Sequence, residues 1–191
     1  MLVLVGCQRA SLSPAEYMAW VEDKDNGMIA NKDLDDFEYS LLYKPLDYVL
    51  AKEESSGILK KEQIEQRRNE LGAMQYFTLK ITAKNAKELL RAGITSEDQY
   101  YQRLEYFMSY MQNDTYLIEG KDTLPCLLFH FERNYGLAPY NTFVLGYAGS
   151  KEKQITNDKV FVYDDKILGT GKVMMTVQAK DIEKAPNIIW N

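Results

Sequence analysis

One histidine occurs in the 191 residues, His130, in the run Phe129-His130-Phe131-Glu132-Arg133-Asn134. On a strand, successive side chains alternate faces, so His130 and Glu132 share one face while Phe129, Phe131 and Arg133 share the other. An imidazole beside a carboxylate is the least that acid–base catalysis requires, and it also supplies two metal ligands. A zinc site needs more. With no second histidine there is no His-x-x-x-His pair, and Glu119 or Asp122 would have to be brought in by the fold. The residues therefore lead away from an enzyme and from a metal or cofactor. A structural histidine, bonded to Glu132 or to a tyrosine, is expected; a hydrolase using His130 and Glu132 is the minor alternative.

The other chemical motifs fail on spacing or context. Serine catalysis lacks a Gly-x-Ser-x-Gly elbow. Gly169-Thr170-Gly171-Lys172 falls short of the phosphate-loop pattern and joins two strands instead of opening a helix, so a hairpin turn is expected. Asp23-Lys24-Asp25-Asn26-Gly27 starts like a calcium loop, but Met28 and Leu34 stand where that loop needs Gly and Glu. Cys126 sits in apolar Leu124-Pro125-Cys126-Leu127-Leu128-Phe129 and reads as a buried thiol, not a nucleophile. Tyr135 and Tyr140 lie in a turn-rich loop. Exposed aromatic rings bind glycans or peptides by stacking, and they also simply pack, so both are candidate ligand contacts. The 14 tyrosines as a set suit a sheet face that is half buried.

The net charge of −5 excludes two classes of partner. Nucleic-acid binding needs a positive face to displace counterions. The basic doublets Lys60-Lys61 and Arg67-Arg68 are interleaved with Glu62, Glu65 and Glu70. Polybasic attachment to anionic lipid fails for the same reason.

Cys7 has a different context. Leu4-Val5-Gly6-Cys7 resembles the bacterial lipobox, in which a small residue precedes the cysteine that receives lipid. The resemblance implies lipid on Cys7, residues 1–6 as the remnant of a signal peptide, and residues 7–12 as a short tether. Met1 to Gly6 is shorter than a signal's apolar run and lacks a basic start, so this reading requires a signal that extends upstream of Met1. A short apolar arm packed on the domain, or a Cys7–Cys126 disulfide, is the alternative. Nothing in residues 8–191 reaches the roughly 18 apolar residues needed to span a bilayer, so lipid would be the membrane contact.

Together with Tyr17-Met18-Ala19-Trp20-Val21-Glu22-Asp23, Asn26-Gly27 and His130-Phe131-Glu132-Arg133-Asn134-Tyr135-Gly136-Leu137-Ala138-Pro139, the lipobox makes the chain similar to uncharacterised lipoproteins of Bacteroidetes-type bacteria. The resemblance brings no activity and no catalytic residue. It implies a lipid-anchored envelope protein. Surface-exported members tend to carry acidic residues after the cysteine, and Gln8-Arg9-Ala10-Ser11 has none, which implies the periplasmic face of the outer membrane. The expected role is a non-enzymatic accessory or structural subunit working with envelope protein partners. A glycan- or peptide-binding module is the alternative.

The elements that position these residues follow from capping and periodicity. Ser13-Pro14-Ala15-Glu16 is a capping box with proline at the first helical position, and Tyr17, Trp20 and Val21 fall on one face. A strand is expected over 37–44, then a short strand or helix to Lys52 after Pro45. A polar helix follows over 60–71, with Lys61 and Glu65 one turn apart. A strand is expected over 75–82, then a short helix capped by Asn85 and stopped by Gly93. Ser96-Glu97-Asp98-Gln99 opens the clearest amphipathic helix, with Tyr100, Leu104, Phe107, Met108 and Met111 on its apolar stripe. Strands are expected over 115–119, 125–134, 142–148, 159–164 and 172–180, forming a meander or sandwich-like sheet. The tail from 181 should strap across that sheet through Ile182, Ile188, Ile189 and Trp190. The fold class is α+β: one globular domain over 13–191, with an antiparallel sheet formed mainly by the second half and helices from the first half packed on it.

Overall fold

A computed structural model describes residues 11–149 and 157–190. Cys7 and the lipobox lie outside the described residues. The helix α1 (Pro14–Glu22) starts at the expected capping box: the Glu16 amide donates to Ser13 Oγ at 3.4 Å and the Ser13 amide to the Glu16 carboxylate at 2.9 Å. Asp23 ends it and accepts the Asp25 amide at 3.0 Å, so the would-be calcium loop uses that side chain on its own backbone. Ahead of α1, Ser11–Leu12 form strand β1, so the last two residues of the expected tether belong to the domain.

The strands β2 (Ile29–Leu34), β3 (Phe37–Lys44) and β4 (Met74–Ala83) form an antiparallel meander. Between β3 and β4 lie α2 (Leu46–Ser55), which resolves the ambiguity after Pro45 in favour of a helix, and α3 (Ile64–Leu71), preceded by a 3₁₀ turn at Lys61–Gln63. The short helix expected from Asn85 is a 3₁₀ turn, Leu89–Arg91. Asn85 instead donates from Nδ2 to Asp36 at 2.8 Å. The second capping box opens α4 (Glu97–Glu105), and the backbone then widens to a π turn at Tyr106–Tyr110 and tightens to 3₁₀ at Met111–Asp114. Phe107 and Met111 are buried as expected. Met108 is exposed, because the widened turn carries it off the apolar stripe.

The second half adds β5 (Thr115–Glu119), β6 (Asp122–Glu132), β7 (Tyr140–Ala148), β8 (Lys159–Asp164) and β9 (Lys172–Val177). All eight strands from β2 to β9 join one antiparallel sheet in the order β2-β3-β4-β7-β6-β5-β8-β9. The α+β class holds, with five of the eight strands drawn from the second half. The order β7-β6-β5 reverses the chain direction within the sheet, so the sheet is more than a meander.

β6 makes the sheet curl. Its first residues pair with β5 and its last with β7, and the register shifts between Cys126 and Leu128. Such a bulge bends a strand and increases its twist. Gly146 lies beneath it: a Cβ there would meet the Leu128 Cβ at 2.9 Å. The eight strands wrap one core of Phe77, Leu79, Phe143, Leu145, Phe161 and Val173, together with Tyr39, Tyr147 and Tyr163. These three tyrosines line the inside, whereas Tyr101, Tyr110, Tyr135 and Tyr140 are exposed. The sheet closes almost to a barrel: Lys32 Nζ on β2 reaches the Met174 carbonyl on β9 at 3.5 Å. Among the described residues no ladder joins these two edges. Phe107 packs on Phe131 and Phe143, so the segment after α4 covers one end of the core.

The carboxyl-terminal segment forms α5 (Ala179–Ile182) and β10 (Asn187–Ile188), which pairs in parallel with β1. Ile182 and Ile188 pack with Tyr17, Val21 and Val177, and Trp190 packs on Leu50, Leu59 and Ile64. The strap therefore ties α1, α2 and the start of α3 to the sheet instead of crossing the sheet face. Ile189, expected to help, is exposed. Among the described residues no helix is long and apolar enough to cross a membrane.

Candidate functional site

The expected alternation on β6 is present: Phe129 and Phe131 stack inward on Phe143, while His130 and Glu132 both point outward. Their register partners on β7 are Val144 and Thr142. Both side chains are exposed, and neither makes a hydrogen bond or ion pair among the described residues. The structural bond expected for His130 is therefore not made. Glu119, which might have joined them, is buried in the interior. Its carboxylate accepts from Lys159 Nζ at 2.8 Å and from Gln75 Nε2 at 2.8 Å. Lys159 also donates to Gln75 Oε1 at 2.5 Å, and Gln75 Nε2 reaches the Ala148 carbonyl at 2.9 Å. Every charge in that cluster is matched. It is a closed structural network with no free group to do chemistry.

Cys126 is buried as expected. Burial pushes its thiol up, away from the thiolate form a nucleophile needs, and Sγ donates to the Leu128 carbonyl at 3.0 Å. The loop over 133–140 does present its rings. Tyr135 has φ 55° and is 74% exposed, and Tyr140 is at the edge of exposure. Each ring already has a cation over one face: the Arg133 guanidinium lies 4.9 Å from the Tyr135 centroid, and Lys80 Nζ lies 5.4 Å from that of Tyr140. These contacts use faces that sugar stacking would require. The basic residues of α3 are paired too, Arg67 with Glu53 and Glu70, and Arg68 with Asp47.

No motif in the sequence marks the recess that the fold creates beside Arg103. A cavity of about 480 Å³ opens at the end of the barrel where β3 begins and β4 ends, between α4 and the β8–β9 turn. Phe37, Ala86, Ile94 and Leu168 give it apolar walls, and Arg103 lines it. Arg103 is only 6% exposed. Its Nη1 donates to three carbonyls, those of Ala92 at 2.6 Å, Leu89 at 3.1 Å and Leu90 at 3.3 Å. Nε is buried and has no partner among the described residues. Among the described residues no carboxylate pairs with this guanidinium within 4.0 Å. Burial pulls its pKa below the ordinary arginine value, opposed by the more distant charge of Asp165.

Comparison of the chain with protein-family models, with curated proteins and with solved structures finds no match. Function must therefore be argued from the sites themselves.

Asp165, on the β8–β9 turn that borders the cavity, is fully engaged. One oxygen accepts the amides of Ile167 and Leu168 at 2.9 Å each and the Tyr163 hydroxyl at 2.9 Å. The other accepts the Thr170 amide at 2.7 Å and its hydroxyl at 2.8 Å. Burial alone would raise this carboxyl. The amides of Leu168, Ile167 and Thr170 outweigh burial and hold it below the ordinary aspartate value. The turn is the hairpin expected for Gly169-Thr170-Gly171-Lys172, and its amide cradle is filled by the protein's own carboxylate where a phosphate loop would hold a ligand.

Arg103 is not among the residues that the sequence motifs single out. The available signal was its spacing: three residues after Tyr100 and four before Phe107, it falls on the apolar stripe. An arginine there must find internal acceptors.

Proposed function

We propose that this protein is a non-enzymatic subunit of a bacterial cell-envelope assembly, anchored by lipid on Cys7 and docking protein partners through apolar side chains left in solvent along α4, the turns after it and β6. The observation that carries this reading is the exposure of Tyr101, Met108, Tyr110, Leu127 and Leu128 on adjoining elements. The two elements are held together there, Gln112 Nε2 donating to the Cys126 carbonyl at 3.0 Å. Large apolar side chains grouped on a surface mark a protein interface more often than they mark chance exposure. The candidate catalytic pair, His130 and Glu132, is exposed on an outer sheet face and does not border the Arg103 cavity, which weighs against an enzyme.

The anchor rests on the lipobox resemblance. Two or three acyl chains, at roughly 0.8 kcal/mol per buried methylene, hold a protein stably where one chain does not. Only residues 8–10 separate Cys7 from β1, so a lipidated chain would keep the domain against the bilayer, on the periplasmic face of the outer membrane by the same resemblance.

Two experiments test the proposal in the native host. A photo-crosslinking residue at Met108 or Leu127 should capture envelope proteins, while the same residue at exposed Glu62, in the 3₁₀ turn before α3, should not; equal capture at all three positions rejects the docking face. Metabolic labelling with an alkyne fatty acid should mark the wild-type protein and not the Cys7→Ser variant. Label that survives in the variant rejects the anchor.

A further inference from the structure

We infer that the cavity lined by Arg103 is a binding site for a small organic acid, one carboxylate on a compact apolar body. The guanidinium carries five N–H donors in a planar fork. Here the hydrogens of Nη1 are committed to the carbonyls of Leu89, Leu90 and Ala92. Among the described residues neither Nε nor Nη2 donates to a protein acceptor; Nε is closed to solvent, which leaves the two hydrogens of Nη2 as the donors open to a ligand. Hydrogen bonds from a guanidinium nitrogen to a carboxylate are charge-assisted and among the strong ones.

Nη2 belongs to a residue only 6% exposed that borders a cavity, and among the described residues no carboxylate lies within ion-pair distance of it. A buried polar group without a partner needs an explanation. A carboxylate bound at Nη2 supplies a hydrogen-bond acceptor and the counter-charge of the guanidinium. The contrast with Asp165 strengthens the inference. On the same end of the barrel the buried carboxylate of Asp165 has five donors, four from its own turn and the Tyr163 hydroxyl from β8, leaving no oxygen for Arg103 within ion-pair distance.

The surroundings select the ligand class. A volume of about 480 Å³ suits a small molecule. The walls of Phe37, Ala86, Ile94 and Leu168 favour an apolar body, while Asn85 and Gln102 offer neutral polar contacts at the border. Asp36 also lines the cavity. With a single guanidinium and a nearby carboxylate, the site favours a monoanion over a phosphate dianion.

The test is titration calorimetry with the full chain, using phenylacetate, its neutral amide phenylacetamide, inorganic phosphate, and a tetrapeptide ending in phenylalanine with a free carboxylate. Phenylacetate should bind at least about tenfold more tightly than phenylacetamide, because the neutral amide brings no charge to pair with the guanidinium. Its addition should shift the Arg103 Nε–H resonance in ¹⁵N-edited spectra, a readout that a purely structural arginine would not give. Ala86→Phe fills the cavity without touching Arg103 and should weaken phenylacetate by about tenfold or more. Preference for the tetrapeptide over phenylacetate keeps the same chemistry and identifies a peptide terminus as its source. Equal binding of acid and amide, tighter binding of phosphate, an unmoved Nε–H resonance, or undiminished affinity in a folded Ala86→Phe variant each overturns the inference.

Discussion

Among the described residues the barrel buries charge in two places, and the two are finished differently. In one, Lys159, Glu119 and Gln75 saturate one another, with Lys159 also 5.5 Å from the Tyr43 ring centroid. In the other, Asp165 is saturated by its own turn while Arg103 keeps donors unused beside a cavity. A closed network fixes the fold, whereas an unfinished one beside open space is where a further molecule can contribute. Burial alone does not separate the two. Accounting for each donor and acceptor does.

The sharpest way to break the comparison is to open the closed network. Glu119→Ala leaves Lys159 charged and buried without its partner, and should cost about 3–5 kcal/mol in urea unfolding. Replacing both, as Glu119→Leu with Lys159→Met, should recover most of that loss, since a buried pair gives little net stability over a well-packed apolar pair. Asp165→Asn should come next, at about 2–3 kcal/mol, because the donors that serve the carboxylate are charge-assisted.

Asp165 also sets a pH dependence. Its folded pKa lies below the ordinary value, so the unfolded chain binds the proton first as pH falls. The stability it contributes is present above the unfolded aspartate pKa of about 3.9 and is lost on descending from there through the folded pKa. Asp165→Asn should therefore flatten the acid limb of a stability profile in that window. An unchanged limb would show that other carboxylates dominate it.

Arg103→Met should cost less, about 1–2 kcal/mol, since cavity water can serve the carbonyls it leaves and the variant no longer buries an unmatched charge. If it costs as much as Glu119→Ala, the two regions are alike and the comparison fails. The smallest effect belongs to the candidates first drawn from the sequence. His130→Ala and Glu132→Gln, both exposed and unbonded, should change stability by less than about 0.5 kcal/mol and leave the phenotype of the gene intact.

What was legible in the chain was local. The capping boxes at Ser13 and Ser96 mark helix starts because each is completed within four residues, and β8 has the bounds its β-branched and aromatic run implies. β2 was missed. Ile-Ala-Asn-Lys-Asp-Leu has no apolar alternation, and as an edge strand it is held by pairing with β3 more than by burial. The reversal of β5, β6 and β7 depends on which strands meet across the sheet, which no short window encodes. The outward face of His130 and Glu132 was readable from alternation, but its lack of a cleft was not. The Arg103 cavity was hidden for the same reason: its walls come from β3, the stretch after β4, α4 and the β8–β9 turn, far apart in sequence.

The parallel pair of β1 and β10 has a mechanical consequence. A pull on the chain ahead of Ser11 meets the ladder at Asn187–Ile188 and the bond from the Ile189 amide to the Leu12 carbonyl at 2.8 Å before it reaches α1. Because the strands run in the same direction, traction on β1 shears these bonds together instead of peeling them one by one. Neighbouring Ile188 and Trp190 are seated on the helices, so the load spreads into their packing. A domain pulled from ahead of Ser11 would thus feel the tension first in the segment around Asn187, far along the chain from the point of traction.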